Sequence, residues 1–191
     1  ELDLGPDVTI VGFFGRFMAQ KGFRTLVDAV GRLDDAGRVT PDQLRVVTFG
    51  WGGYIREDFA YIEQKGLARY FVQHAHTDHP ERYLKAVDVV AMPSRWEACG
   101  LLAMECLAAG TPIIGTNCLG LREVLAGSPA CQVPVGDTEA LAEAILAECR
   151  QPQRREFEDY KPAAHDRFSL SRAARALHAL YQSMPSGRDP L

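Results

Sequence analysis

Two glutamates lie eight residues apart, one just before an apolar stretch of the sequence and the other within it. Glu97 precedes the segment GLLAMECLAA (100–109), in which Glu105 is the one charged residue. The apolar composition of this segment predicts a helix that is buried nearly all round. Because a carboxylate buried without partners is costly, Glu105 needs donors that its own helix does not supply. We expect either an arginine from elsewhere in the chain or the hydroxyl groups of a bound ligand to provide them, with Glu97 at the mouth of a crevice and Glu105 deeper in its wall.

Two cations follow the first predicted strand, in the segment GFFGRFMAQKG (12–22). Gly15 lies in the turn, and Arg16 and Lys21 come directly after it. A guanidinium offers a planar fork to phosphate oxygens and an ammonium is a compact point charge, so this pair could hold a diphosphate, although two solvated surface cations would give the same pattern. The dinucleotide fingerprint G-x-G-x-x-G and the P-loop pattern are both absent here, which speaks against nicotinamide and ATPase chemistry.

Three weaker signals accompany these residues. The turn GWGG (50–53) either lets the backbone approach a ligand or is a plain strand-to-helix turn. The segment HAHTDH (74–79) has alternating polar side chains, so a metal site has to be weighed against ligand lining and loop polarity; no further ligand is evident, and Pro80 predicts that a helix starts there. The amides of residues 99–101 would face outward at a helix N-terminus, which suits an anion.

Short apolar runs alternate with helical patterns along the whole chain. One helix is predicted over residues 23–33, and an amphipathic helix over 170–184 is followed by the frayed tail PSGRDPL. Strands that are apolar on both sides, with helices between them, predict a parallel sheet covered on both faces. We therefore expect an α/β fold with a Rossmann-like, three-layer domain over residues 1–168, and a helix and tail over 169–191. The strands of its sheet, about six in number, are predicted at residues 8–14, 44–50, 70–74, 88–94, 112–116 and 130–134.

Composition limits the partners and the compartment. The 191 residues are 47% hydrophobic and carry a net charge of −4 without a basic stripe, so neither nucleic acid nor an anionic membrane is indicated as a partner. No apolar run approaches the roughly 20 residues needed to span a bilayer. Five cysteines without a C-x-x-C spacing are typical of reduced thiols in a cytoplasmic protein. The chain starts at Glu1 rather than at a methionine, and we expect it to be a processed product or a part of something longer.

Most of the chain resembles the C-terminal, nucleotide-sugar-binding domain of family 4 retaining glycosyltransferases, which have the GT-B fold. The resemblance lies in VGFFGRFMAQKG, in DVVAMPSRWEACGLLAMECLAAGTPIIGT and in FSLSRAARALHALYQSM. Its most specific element is the E-x7-E pattern of Glu97 and Glu105, within PS-x-x-E and E-C-L-A-A-G-T-P. Two departures concern the packing of the donor sugar: Cys99 replaces the family's usual aromatic residue, and GWGG replaces the common G-x-G-P turn.

The resemblance implies a role for each of these residues. Arg16 and Lys21 would hold the donor diphosphate and stabilise the leaving group, Glu97 would bind hydroxyls of the donor sugar, and these three would be the catalytic residues. Glu105 would accept hydrogen bonds from the ribose diol. The nucleobase would lie in the loop after the third strand, and amides near the start of the glutamate-bearing helix would meet sugar and phosphate. The full implied donor-binding set is Gly15, Arg16, Lys21, His76, Thr77, Glu97, Ala98, Cys99, Gly100, Leu101 and Glu105.

The resemblance also implies partners. The donor would be a UDP-sugar or GDP-sugar carrying a hexosyl-type unit, with no metal or other cofactor. GT-B enzymes carry the acceptor site on an N-terminal domain of similar size, and no segment of this chain supplies one. That domain would belong to the same parent protein, which could also contact a membrane peripherally. Two alternatives remain: another GT-B enzyme, such as a nucleotide-sugar epimerase or a phosphorylase, and a stand-alone nucleotide-sugar-binding module.

Overall fold

A computed structural model describes residue 5 and residues 7–184 of the chain. Its sheet has six strands, and every pairing between neighbours is parallel. Each strand lies where the sequence predicts one, which confirms the α/β fold and the expected number of strands. The strands are β1 (Thr9–Phe14), β2 (Leu44–Phe49), β3 (Phe71–His74), β4 (Val89–Met92), β5 (Ile113–Thr116) and β6 (Cys131–Val133).

The strands follow the order β3-β2-β1-β4-β5-β6. The chain therefore builds the sheet outward from β1 in one direction, then returns and builds from β4 in the other. In such sheets the connections diverge where the strand order reverses and leave a crevice beyond the carboxyl ends of the two central strands. Here those strands are β1, which ends at Phe14, and β4, which ends at Met92.

Eight helices connect and follow the strands in the described part of the chain. Two further 3-10 helices, Ala19–Lys21 and Ala68–Tyr70, interrupt the connections before α1 and β3. The eight helices are α1 (Phe23–Asp35), α2 (Ile55–Gln64), α3 (Pro80–Leu84), α4 (Leu101–Ala109), α5 (Arg122–Leu125), α6 (Thr138–Arg150), α7 (Arg154–Arg167) and α8 (Leu170–Ser183).

The sheet is the middle of three layers. Along β4, Val89 and Ala91 belong to a core shared with α1 and α6, whereas Val90 and Met92 belong to a core shared with α4 and α7. This split follows from strand geometry, because successive side chains point to opposite faces. Both faces of the sheet are thus covered, and the Rossmann-like architecture is confirmed.

Helix α1 shows how the apolar spacing fixes its orientation on the sheet. The positions that predict it, Phe23, Leu26, Val27, Val30 and Leu33, are all buried. Burying each such side chain contributes about 1.5–3 kcal/mol, so this face anchors the helix. The rigid start of α1 in turn fixes the loop that carries the predicted cations.

Helix α4 corrects one prediction. Of its nine residues only Ala103, Cys106 and Leu107 are buried, while Leu101 and Glu105 are exposed. The helix packs on one side against α7 and β5. Its other side borders the crevice at the strand ends, where Leu102 and Glu105 line a cavity. The prediction of a helix buried nearly all round is therefore wrong, because apolar composition alone does not reveal that one helix face lies beside an open site.

The last helix, α8, lies outside both cores. It begins after Ser169, whose hydroxyl accepts a hydrogen bond from the amide of Arg172 at 3.1 Å. None of its residues is buried, and Leu177 and Tyr181 are among its exposed apolar side chains. The predicted tail 185–191 lies outside the described residues, as do residues 1–4 and 6. No helix in the described part of the chain is both long enough and apolar enough to cross a membrane.

The five cysteine thiols are all free. Cys106 and Cys118 are buried, and Cys131 and Cys149 are partly buried. Burial raises the pKa of the Cys106 thiol, which keeps it protonated and unreactive at neutral pH. Cys99 differs from the other four because it is exposed.

Candidate functional site

The predicted chemistry converges on the crevice between β1 and β4. Lys21 arrives from the β1 side, at the end of the 3-10 helix Ala19–Lys21, and Glu97 arrives from the loop between β4 and α4. The Lys21 ammonium donates to both carboxylate oxygens of Glu97, at 2.8 and 3.0 Å. The side chains are 21% and 8% exposed, so the pair is largely shielded from water. The family resemblance implies that these residues contact different parts of a donor, whereas the structure joins them directly across the crevice.

The carboxylate of Glu97 is held from a second side. The hydroxyl of Ser94 donates to its Oε1 atom at 2.7 Å. Ser94 is itself fixed, because the hydroxyl of Thr116 at the end of β5 donates to its carbonyl oxygen at 2.5 Å. Both hydroxyl-bearing residues are buried. The three residues form a chain of hydrogen bonds that leads from the sheet to the carboxylate.

The loop after β5 clamps the backbone around Glu97. The Glu97 amide donates to the carbonyl of Leu119 at 3.0 Å. Gly120 adopts a left-handed conformation with φ of 81°, and a Cβ atom there would lie 1.9 Å from the carbonyl oxygen of Glu97. Only glycine allows the two loops to approach this closely. The position of Glu97 is thus determined by two loops rather than by one.

The loop that carries Lys21 is tied to the same region. The amide of Arg95 donates to the carbonyl of Gln20 at 2.8 Å, and the side-chain amide of Gln20 donates to the carbonyl of Trp96 at 3.0 Å. Gly22 has φ of 67°, and a Cβ atom there would lie 1.9 Å from the carbonyl oxygen of Pro93. The backbones on both sides of the Lys21–Glu97 pair are therefore locked together.

A cavity of about 310 Å³ opens in front of this pair. It brings together six of the predicted residues: Gly15, Arg16, Lys21, His76, Thr77 and Glu105. The other five predicted residues do not line it. They lie in the adjacent loop and at the first position of α4: Glu97, Ala98, Cys99, Gly100 and Leu101. Of these, Glu97 contacts a residue of the cavity lining, Lys21.

Glu105 is exposed at this cavity rather than buried in a helix interface. Partial desolvation raises the pKa of its carboxyl, and the negative charge of Glu81 raises it further. No hydrogen bond from a described residue offsets these two effects, so the expected alternative of an arginine partner is not realised in this part of the chain. The predicted depths are reversed: Glu97 is the deeper carboxylate and Glu105 lies at the mouth, because α4 turns its Glu105 side away from the core.

The first turn of α4 adds backbone donors beside Glu97. The helix starts at Leu101, after Gly100 in a left-handed conformation with φ of 66°. Amides in the first turn of a helix have no partner within it, and together with the helix dipole they favour an anion. Ala98 and Cys99, which precede the turn, are exposed to solvent.

The predicted loop after β3 contributes polar side chains to the far end of the cavity. His76 is exposed, with its Nε2 atom 3.3 Å from a carboxylate oxygen of Asp78. The hydroxyl of Thr77 accepts a hydrogen bond from the amide of His79 at 3.1 Å, which shapes the loop before α3. His74 stacks its ring against Phe49, with 5.1 Å between centroids. Within the described ranges, no three His, Cys, Asp or Glu residues come together as a metal site would require.

Sequence reasoning missed an apolar half of the cavity. Trp51 belongs to the GWGG turn, but the glycines of that turn are its stronger sequence signal. Phe14 and Phe49 are the last residues of two strands, β1 and β2, and so have the sequence context of core residues. Only the strand register shows that they reach the site. The lining residues that were missed are Phe14, Phe49, Gly50, Trp51, Pro80 and Leu102.

Comparison with known proteins identifies the family. The family described as Glycosyl transferases group 1 matches residues 8–150. The D-inositol 3-phosphate glycosyltransferase of Corynebacterium jeikeium is 32% identical, over 97% of this chain and 46% of its own length.

Solved structures confirm the fold. HepE of Anabaena in complex with UDP superimposes with a TM-score of 0.83 and 20% identity, over 93% of this chain and 50% of that one. HepE has also been solved in complex with UDP-glucose. The C-terminal domain of LpcC, a group 1 family protein of Francisella tularensis, superimposes with a TM-score of 0.70 and 19% identity, over 84% of this chain and 85% of that domain.

These matches also define how much of a relative the chain represents. It spans about half the length of the curated relatives it matches, for example 46% of the Corynebacterium jeikeium protein. The structural match to a C-terminal domain agrees with the resemblance that the sequence motifs indicate. The family match over residues 8–150 covers more than half of the chain, so the chain belongs to the group 1 glycosyl transferases.

Proposed function

We propose that this chain binds the nucleoside diphosphate sugar donor of a retaining glycosyltransferase. One observation carries the proposal. A single cavity at the strand-order reversal contains the guanidinium of Arg16, the ammonium of Lys21 and the carboxylate of Glu105, which has no hydrogen-bond donor among the described residues. Cations at one part of a cavity and a free acceptor at another suit a ligand that has both a diphosphate and a diol.

Glu105 is the proposed acceptor for the ribose. A carboxylate accepts hydrogen bonds at two oxygens, and a ribose presents two neighbouring hydroxyl groups as donors. Burial around the carboxyl raises its pKa, which is the signature of a charge that lacks compensation. Hydroxyl donors from a bound nucleoside would supply that compensation and stabilise the ionised form.

Arg16, Lys21 and the first turn of α4 are the proposed diphosphate site. Arg16 is exposed at the cavity, and the amide of Leu101 opens the helix beside Glu97. An ammonium has three protons, so Lys21 can donate to a phosphate oxygen while it keeps a hydrogen bond to Glu97. These groups would carry the charge of the diphosphate without a metal ion.

Glu97 is proposed to position the donor sugar. The Ser94 hydroxyl and the Lys21 ammonium fix the orientation of its carboxylate, which can then accept from sugar hydroxyl groups. When the bond between the anomeric carbon and the diphosphate oxygen breaks, the electron pair leaves with the diphosphate, the acceptor's hydroxyl oxygen forms a bond to that carbon, and the hydroxyl proton passes to the departing diphosphate. Arg16, Lys21 and the α4 amides would stabilise that developing negative charge, which is the main catalytic contribution of such a site. We propose that the transferred group is a hexosyl-type unit and that its configuration is retained, and the family resemblance supports this.

The remaining components of the reaction are also proposals. The acceptor site would belong to an N-terminal GT-B domain of the same parent protein, and peripheral membrane contact would be a property of that parent. Support for the donor class comes from HepE, whose structures contain UDP and UDP-glucose. Free thiols at all five cysteines suit the reducing cytoplasm, where we propose that the protein acts.

Isothermal titration calorimetry with UDP and GDP tests the proposal. We expect Lys21→Ala and Glu105→Ala each to weaken the better-bound nucleotide by roughly tenfold or more, because hydrogen bonds to charged groups contribute about 1.5–3 kcal/mol. Glu63→Ala, which removes an exposed carboxylate from α2, is the matched control and should leave affinity unchanged. Unchanged UDP and GDP affinities in both site variants would refute the assignment.

A further inference from the structure

One large aromatic side chain on the cavity rim is not accounted for by the proposed donor contacts. Trp51 lies in the turn between β2 and α2 and is 58% exposed. The strand order places the end of β2 between the ends of β3 and β1. Trp51 therefore lines the cavity between the loop of His76 and Thr77 on one side and Arg16 on the other.

The backbone of Trp51 is rigidly placed. Its carbonyl accepts a hydrogen bond from the amide of Phe17 at 2.9 Å. The glycines on either side are pressed against the turn after β1: a Cβ atom on Gly50 would lie 1.9 Å from the Gly15 carbonyl oxygen, and one on Gly52 would lie 2.5 Å from the Phe17 carbonyl oxygen. The glycines of GWGG thus allow the turn after β2 to pack closely against the turn after β1, which fixes the position of the Trp51 backbone.

Two phenylalanine side chains, Phe14 and Phe49, line the cavity together with Trp51. Phe14 and Phe49 stack with ring planes 9° apart and centroids 4.8 Å apart. Phe49 also contacts the ring of Tyr83, with centroids 4.5 Å apart. The cavity therefore has a charged part around Arg16, Lys21 and Glu105 and an aromatic part around Trp51 and Phe49. A ligand with a diphosphate at one end and a planar ring at the other matches both parts.

We propose that Trp51 stacks on the base of the bound nucleoside diphosphate and provides the base-dependent part of its affinity. The inference rests on the proposed donor-binding function and adds a contact that the family motifs do not imply, since GWGG departs from them. Stacking suits this position because an exposed indole loses apolar surface to water when a base covers it. Every base has a π-face, so the contact strengthens binding of both purines and pyrimidines.

Calorimetry on the whole chain with UDP, GDP and inorganic pyrophosphate separates base contacts from phosphate contacts. Trp51→Ala should weaken the nucleotides by about tenfold, as expected when a base loses an aromatic stacking partner, and should leave pyrophosphate affinity unchanged. Trp51→Phe should restore part of the nucleotide affinity. Tyr54→Ala is the matched control, because Tyr54 is an equally exposed aromatic residue of the same connection that lines a different cavity.

Fluorescence provides a second measurement on a nearly native protein. The chain has two tryptophans, so Trp96→Phe leaves Trp51 as the one indole emitter. UDP or GDP should quench that emission, whereas the emission of the Trp51→Phe protein should not respond. Unchanged nucleotide affinity in Trp51→Ala, or an equal loss for pyrophosphate, would overturn the inference while leaving donor binding intact. If the unsubstituted protein bound neither nucleotide, the proposed function itself would fail and this inference with it.

Discussion

Glu97 and Glu105 lie eight residues apart, yet their surroundings are opposite. Glu97 is 8% exposed and accepts hydrogen bonds from Lys21 and Ser94. Glu105 is exposed at the cavity and accepts none from the described residues. The first carboxylate belongs to a loop that is clamped by a neighbouring loop, and the second to a helix face that is open to the cavity.

The difference separates two tasks that a binding site has to perform. A carboxylate that is paired before the ligand arrives needs no reorganisation and can orient what binds, which is the basis of electrostatic preorganisation. A carboxylate that is left partly desolvated gains most when a ligand supplies its donors. We therefore expect changes at Glu97 to affect stability as well as binding, and changes at Glu105 to affect binding almost alone.

The largest expected effect comes from breaking the clamp around Glu97. Gly120→Ala should destabilise the protein by roughly 4 kcal/mol, since left-handed strain adds to a collision that forces two loops apart. Gly127→Ala is the matched control: Gly127 has φ of 72° but no atom within 4 Å of a Cβ placed there. It should cost only about 1–2 kcal/mol. Urea unfolding measures both, and equal losses would show that the close contact with the Glu97 carbonyl contributes nothing.

A smaller effect is expected from the carboxylates themselves. Glu97→Ala should lower the free energy of unfolding by about 2–3 kcal/mol, because it leaves the shielded ammonium of Lys21 without its partner. This loss is smaller than that for a fully buried pair, since the Lys21 side chain is 21% exposed. Glu105→Ala should change stability by no more than about 0.5 kcal/mol, as is usual for an exposed side chain. Thermal and urea unfolding of the two variants compare them directly. Similar losses of stability in both variants would contradict the proposed difference between the two carboxylates.

The sequence was sufficient for the sheet because the apolar runs of β1 to β6 and the helical spacing of α1 are local patterns. The polar residues of the site were also visible, since Arg16, Lys21 and Glu105 have types and positions that suit a ligand. Their common cavity follows from a parallel sheet, which brings the ends of all strands to one edge. The family match over residues 8–150 then confirmed the resemblance.

What the sequence could not predict depends on packing between distant loops. The burial of Glu97 depends on Ser94, on Thr116 and on the loop after β5, whereas the exposure of Glu105 depends on which side of α4 meets α7. The apolar composition around Glu105 therefore led to the wrong prediction that Glu105 is the deeper carboxylate and that Glu97 lies at the mouth of the crevice. Similarly, Phe49 at the end of β2 has the same sequence context as a core residue, and only the register of the sheet brings it to the cavity.

The smallest predicted effect is a pH dependence that distinguishes the open carboxylate. Desolvation and then Glu81 raise the pKa of Glu105, so the native state holds this proton more tightly than the unfolded state does. Stability contributed by this group therefore falls as pH rises from the ordinary glutamate pKa through the raised native pKa, and this loss of stability is absent at lower pH.

Glu105→Gln should remove this pH-dependent loss of stability. The variant should gain unfolding free energy relative to the unsubstituted protein between acidic and neutral pH, while Glu63→Gln, with the same change of charge on α2, should show no such trend. Urea unfolding across that pH interval measures the difference in free energy of unfolding between Glu105→Gln and the unsubstituted protein. If this difference did not change with pH, the Glu105 carboxyl would be as well solvated as any surface glutamate. The physical reason for assigning it to a ligand would then be lost.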